Sequence, residues 1–419
     1  QGSLSGAGVS YLAQWLQWDL TAQGQTDFWF AVTGGQPTAV LQVNLTQIAV
    51  TGHTSINLDQ LRVDSVVEGS FDQARIWIDD ASLTADDQTF LLPRIHLHRL
   101  GQGWKMLTNR FEVSPLIAVL RGSKLLPDKA NEILETLSPA GSVDRLALTL
   151  ETLDEPLHRW ELAATVTDAT TDPFKKVPGL VGIDASITAN EEGAIAWIDT
   201  QDFELVLPNV YREPIRLTSV LGTLEGRWQR DALFLERGLL LGSAREHDAA
   251  VQFEIDIPFS KKSSVPLEMR LAASVLDAPV GIRDAYVPHR MPAPAYSWLQ
   301  QALPVGQIER GIFLWHGGFK PYGHPGQTMQ LAADLSEVTL DYQPGWPVAL
   351  LTESQLRLDD TRIDAWSAQG QMAGLSLVDT TVGLQVGSDA IWLDLQTQSK
   401  GKPGEILSSL EQLPALSVA

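Results

Sequence analysis

Along almost the whole chain, apolar and polar residues alternate at a period of two, and no other sequence feature limits the fold as tightly. The clearest run is Val251, Phe253, Ile255 and Ile257, with Gln252, Glu254 and Asp256 between them. The pattern recurs at Leu41, Val43 and Leu45, at Ala74, Ile76 and Ile78, and at Leu146, Leu148 and Leu150. It continues at Trp160, Leu162, Ala164 and Val166, at Leu267, Met269 and Leu271, at Leu356 and Leu358, and at Ile391, Leu393 and Leu395. Successive side chains of a strand point to opposite faces, so each run has one apolar and one polar face. That pattern belongs to antiparallel sheet with one side wet. Turn clusters such as Thr33-Gly34-Gly35, Asn190 to Gly193 and Pro344-Gly345 separate many of the runs.

Helical signals are few and short. Ser114-Pro115 predicts a helix start, as N-cap and first-turn residue, before Leu116 to Leu120. The helical stretch is predicted over 115–137, with Ile133, Leu134 and Leu137 as one apolar stripe. Two further helices are predicted at 296–303 and 405–413. So little helix cannot cover this much apolar sheet. The sheet must cover itself, either by pairing into a sandwich or by rolling up.

An internal echo favours rolling. Leu137-Ser138-Pro139-Ala140-Gly141-Ser142-Val143 closes a helix and opens a strand, and Ala302-Leu303-Pro304-Val305-Gly306-Gln307-Ile308 does the same. Glu405-Ile406-Leu407 begins a third copy. The spacing is uneven, so the modules are loose rather than a fixed-period solenoid. They divide the chain into a β segment at 1–110, a helical insert with its β module at 111–290, a second β module at 291–402, and the start of another at 403–419.

Composition narrows the partners. Lys and Arg total 30 against 51 Asp and Glu, a formal charge of -21, which repels nucleic acid and disfavours adsorption to an anionic membrane surface. There are no cysteines, which removes disulfides, thiolate catalysis and Cys-based metal sites. No apolar run approaches the roughly 20 residues of a spanning helix, and the richest, Leu233 to Leu241, is interrupted by Glu236 and Arg237. Gln1-Gly2-Ser3 reads as a linker scar, so a membrane anchor is expected outside this sequence.

Chemistry is sparse. There is no phosphate-cradling Gly-rich loop. His96 and His98 fall on one strand face, but no third metal ligand is near, and a solvated pair is the reading. His316, His324 and Asp334 could be drawn as a base and its orienting group, yet no serine sits in a nucleophile turn. Asp79-Asp80, Asp86-Asp87 and Asp359-Asp360 are adjacent, and adjacent strand residues point to opposite faces, so neither member should share a substrate with the other. The residues therefore predict no catalytic group, no metal and no cofactor. Taken alone, the apolar faces suit a dry sandwich core as well as a groove.

Several segments change that balance. They are Tyr286-Val287-Pro288, Trp298 to Leu303, Gly306-Gln307-Ile308, Gly311 to Gly317, and Leu340-Asp341-Tyr342-Gln343-Pro344-Gly345-Trp346-Pro347. With Val177-Pro178-Gly179-Leu180, Pro208 and Pro214-Ile215, they resemble the central region of the YhdP-type AsmA-like proteins of the bacterial envelope. The resemblance runs from about residue 110 to the end and is vaguer before that. It implies an all-β, elongated, twisted antiparallel sheet rolled into an open trough with an apolar interior. It implies a periplasmic segment, held at the inner membrane by an anchor helix elsewhere, that conducts phospholipid without catalysis. The alternating apolar residues named above, from Leu41 to Leu395, are then the expected acyl-chain lining.

Overall fold

The structure, a computed structural model, describes residues 2–5, 19–33, 36–51, 56–70, 73–123, 128–152, 159–174, 177–260, 262–289, 291, 293–318, 326–342, 344–386 and 391–404. The helix expected at 405–413 and His324 lie outside them. The chain packs as two units, Gln1–Thr200 and Gln201–Ala419, and the division falls inside one strand.

Unit 1 holds β1 (Gly2–Ser5), β2 (Asp19–Thr33), β3 (Gln36–Thr51), β4 (Ile56–Glu68), β5 (Arg75–Ala85), β6 (Gln88–Leu91), β7 (Ile95–Leu100), β8 (Gly103–Thr108), β9 (Phe111–Glu112), β10 (Ala140–Leu150), β11 (Trp160–Thr171) and β12 (Gly179–Asn190). The dividing strand is β13 (Gly193–Val206). Unit 2 holds β14 (Ile215–Trp228), β15 (Ala232–Ser243), β16 (Asp248–Pro258), β17 (Glu268–Pro279), β18 (Val305–Gly318), β19 (Thr328–Leu340), β20 (Ala349–Asp359), β21 (Arg362–Met372), β22 (Leu375–Val386) and β23 (Ile391–Lys400). Every pairing within a unit is antiparallel. Among the described residues no pairing joins β1 to β12 or β14 to β23, so neither unit closes on itself.

The chain is all-β with four short helices among the described residues: α1 (Val113–Gly122), α2 (Asp128–Leu137), α3 (Arg283–Tyr286) and α4 (Ala293–Ala302). The sequence places α1 slightly wrongly. It begins at Val113 with Glu112 as N-cap, which makes no side-chain cap. Ser114 is already inside the first turn, and its hydroxyl is directed at Pro139 O, 3.5 Å away. The short α3 carries no legible signal. It is held because the Arg283 guanidinium donates to Leu303 O (2.7 Å) and Val280 O (3.2 Å), tying it to the end of α4.

The two echoed segments fold alike. Leu137 O, at the end of α2, accepts from Asp172 N (2.7 Å), and Ala302 O, at the end of α4, accepts from Asp341 N (3.0 Å). The register slips at Ala140/Ser142 and Val143/Arg145 in β10, and at Val305/Gln307 and Ile308/Arg310 in β18. Thr167 donates to Asp144 in the first, as Ser336 does to Glu309 in the second.

In each unit the strand ends form two rims. One is closed by short connections such as Gly101-Gln102, Glu191-Glu192 and Asp360-Thr361, and we term it the turn rim. The other carries the helices and a series of β-bulges marked by left-handed residues: Gln47 and Asp168 in unit 1, Glu337 and Asp379 in unit 2. Asp tolerates that conformation better than most side chains, and a bulge bends the strand that carries it. The fully buried apolar residues collect towards this bulge rim. Ala85, Phe90 and Val119 form one cluster there with Leu83, Phe111 and Leu116 packed around it. In unit 2, Ala278, Val280, Ala302, Val338, Ala349, Leu375 and Leu377 are buried at the same side.

Candidate functional site

Strand register converts the scattered alternation into continuous rows. In unit 1, direct cross-strand partners run Ala39, Val67, Ile76, Leu97, Met106, Leu148, Leu162 and Ala189. The neighbouring row is Leu41, Ser65, Ile78, Ile95, Thr108, Leu146, Ala164 and Ile187. In unit 2 the row is Leu240, Val251, Ala273, Phe313, Leu331, Leu358, Ile363 and Leu384. Beside it stand Gly238, Phe253, Leu271, Trp315 and Met329. No charged side chain interrupts these rows. Directly opposed residues share a face, so each unit presents one broad apolar face.

That face is half-covered rather than dry. Of the expected lining residues, Leu45 and Ala74 are buried at 5% and 8% exposure. Leu41, Val43, Ile76, Ile78, Leu146, Leu148, Leu150, Leu162, Val166, Val251, Phe253, Ile255, Leu267, Met269, Leu271, Leu356 and Leu358 are all partly exposed. The side chains of Ile391, Leu393 and Leu395 lie outside the described set, although the backbone register places Leu393 opposite Leu384 and Leu395 opposite Val382. Ala74 and Leu267 fall just outside the strands, each one residue before β5 and β17. Alternation in single strands does not reveal Leu97, Met106, Phe313, Trp315 and Leu331, because they become neighbours of the expected set only through pairing.

The bulges keep the face apolar. In β5 the inward residues are Ile76 and Ile78, then Ala81 and Leu83, with Asp79 and Asp80 both exposed between them. In β15 they are Leu233 and Leu235, then Gly238 and Leu240, around the exposed pair Glu236-Arg237. In β18 the exposed pair is Glu309-Arg310. This corrects the expectation that Asp79 and Asp80 point to opposite faces. The extra residue of a bulge sends both outward, where Asp80 pairs with Arg62 at 3.7 Å. Asp86 and Asp87 form the tip of the β5–β6 hairpin with φ of 53° and 60°, the geometry of a tight two-residue turn. Asp359 accepts from Gln330 (3.0 Å) and Asp360 from Met329 N (2.8 Å), so both are structural.

The remaining histidines are dispersed. His316 Nε2 lies 2.9 Å from Glu268, whereas Asp334 is held by Arg310 at 2.7 Å, six residues along β18. The two are not brought together. His96 is not solvated as expected but stacks on Trp77, with ring centroids 5.0 Å apart and planes 10° from parallel. No group of three or more metal-ligating side chains occurs among the described residues. The face opposite the apolar rows carries ion pairs such as Glu254–Arg270 and Arg227–Glu236, both 2.8 Å, with Leu221, Leu239 and Leu314 exposed among them.

At the bulge rim of unit 2, His247 Nε2 lies 2.7 Å from Tyr286 Oη. Burial lowers the His247 pKa below the ordinary 6.5, against the opposing pull of Asp248 and Glu246. Burial, with Tyr211 adding, pushes the Tyr286 phenol up to about 12. A neutral imidazole accepting the phenol proton fits both directions. Because the unfolded chain then binds the extra proton first, this contact's stability is complete above pH 6.5 and is lost as pH falls through the folded value. Protection of the amides across 280–302, taken relative to the intrinsic exchange rate at each pH, should therefore fall from neutral to mildly acidic pH, and His247→Phe should remove the difference. Identical wild-type protection factors at both pH values would refute the coupling.

No helix among the described residues is long and apolar enough to cross a membrane. No curated protein and no solved structure matches the chain. The family described as YhdP protein matches residues 7–414. A sheet whose apolar rows and echoed helix-to-strand joints run through nearly all of that span is thus one of the AsmA-like envelope proteins, and the chain belongs to the YhdP family.

Proposed function

We propose that this chain carries phospholipid along its apolar face, as a periplasmic segment of a bridge-like protein linking the inner and outer membranes. The observation that supports this is the run of half-exposed apolar rows, eight strands across in each unit, with no charge among them. An acyl chain exposed to water costs about 0.8 kcal/mol per methylene, and contact with such a face removes much of that penalty. Val, Leu, Ile, Met and Ala side chains offer similar contact everywhere, so a chain sliding across the rows meets no deep well. No bond is made or broken. The trough shape, the inner-membrane anchorage and the modules at 1–110, 111–290 and 291–402 belong to the same proposal.

Native mass spectrometry tests it directly. The chain purified from bacterial envelopes should carry phospholipid that dissociates on collisional activation. A preparation that emerges lipid-free, and stays so after incubation with phospholipid dispersions, would sink the reading.

A further inference from the structure

Cations gather at one place in this acidic chain. At the turn rim of unit 1, Arg75, His98 and Lys105 are direct cross-strand partners on three neighbouring strands, β5, β7 and β8. Residues so placed have Cβ atoms roughly 5 Å apart, so the two cations flank His98 with no carboxylate between them. Neither Arg75 nor Lys105 makes an ion pair within 4.0 Å among the described residues, and both are exposed. Glu68 stands in register with Arg75 on its other side but forms no such pair, and beyond Lys105 comes Thr149. One residue nearer the turn, Arg99 lies opposite Trp104 on the apolar side, its guanidinium carbon 5.9 Å from the ring centroid. The same row continues through Leu150 to Trp160. The rim thus has cations on both of its sides, and indole rings where the apolar face ends. Indoles favour such a boundary between apolar and wet surroundings.

We infer that this rim is a phosphate-binding site, at which Arg75 and Lys105, flanking His98 on the outer face, and Arg99 on the apolar face hold across the strand ends the phosphate of a lipid headgroup whose acyl chains lie on the apolar face. The inference rests on the lipid-carrying reading for the source of the phosphate. An anion placed between Arg75 and Lys105 meets charged donors on both sides, and such contacts are of the strong kind. Among the described residues the opposite rim has no such row, because there the helices and bulges bury the strand ends and the left-handed residues are mostly acidic. Headgroups therefore travel past the turn rim in unit 1.

The test uses the whole delipidated chain and two lipids with identical acyl chains, phosphatidylglycerol and diacylglycerol, offered in maltoside micelles. Wild type should retain phosphatidylglycerol about tenfold over diacylglycerol, the ratio that one charged hydrogen bond supplies. Arg75→Glu/Lys105→Glu should erase that preference while leaving diacylglycerol uptake unchanged. Arg75→Gln/Lys105→Gln serves the same purpose if charge reversal prevents folding. Calorimetry with inorganic phosphate separates the sources. Phosphate binding that the double variant abolishes, without any lipid preference, keeps the site and assigns it to free phosphate. An undiminished phosphatidylglycerol preference in the double variants overturns the inference. Failure of wild type to take up either lipid counts instead against the lipid-carrying reading.

Discussion

Phe253→Asp should give a folded protein that has lost its lipid. Phe253 sits mid-strand in β16, partly exposed, opposite Gly238 on one side and Leu271 on the other. Its ring lies directly over Gly238, where a Cβ would come 2.4 Å from Phe253 Cζ. The phenyl therefore covers the backbone of the next strand and stays partly exposed. Loss of that contact should cost about 2 kcal/mol, the scale for burying part of an aromatic side chain. In a dry core the new carboxylate would add several kcal/mol more and unfold the domain. On a half-open face it keeps part of its hydration. The same charge now interrupts the row between Leu271 and Gly238, so an acyl chain must cross it, and retained phospholipid should fall at least about tenfold. Gln252→Asp, on the other face beside Glu254, should change neither melting nor lipid content. A thermal melt paired with lipid extraction decides between outcomes. Unfolding of Phe253→Asp would favour a packed core, and full lipid retention would remove this strand from the path.

The second large effect is on stability. Gly141 opens β10 at a bulge with φ of 106°. A Cβ there would lie 2.6 Å from Asp168 O and 2.8 Å from Ala169 Cα, both backbone atoms that cannot step aside. Backbone strain of about 1–3 kcal/mol and the clash act together, so Gly141→Ala should destabilise unit 1 by about 3 kcal/mol or more. The echoed Gly306 provides the control. Its φ of 156° is also one that L side chains rarely adopt, but its added methyl would lie 3.2 Å from Val338 Cγ2 and 3.3 Å from Val338 Cα, far less crowded than at Gly141. Gly306→Ala should cost about 1 kcal/mol. Urea melts of the two variants give the comparison, and equal losses would mean that the two joints are not distinguished by backbone crowding.

Alternation in β16 or β10 names the apolar face without further information, because a single strand fixes which residues share a side. The phase slips are also legible. Ile78, Asp79, Asp80, Ala81 and Leu235, Glu236, Arg237, Gly238 each insert one polar residue too many, and that surplus is a bulge. Reading Asp79 and Asp80 as opposed missed this, since the rule of alternate faces holds only where the ladder is regular. The rows across strands were not legible. They depend on register, and a slip of one residue in β7 would move Leu97 to the other face and His98 to the apolar one. For the same reason the cationic row was invisible, as Arg75, His98 and Lys105 are separated by 23 and 7 positions in sequence and meet only through pairing. His96 was misread as solvated because its partner, Trp77, lies on a different strand.

Among the described residues, every strand from β14 to β23 pairs only with its immediate neighbours in sequence. Such a sheet can be lengthened or shortened by whole hairpins. Two strands added together restore the direction of travel, keep both rims on their own sides and extend each row by two residues. Strand spacing makes the increment about 10 Å per hairpin. A single added strand would instead swap the rims for everything downstream. Duplication in pairs is therefore the tolerated unit of growth, and the reach of such a chain is set by counting hairpins, as a ruler is read by its divisions.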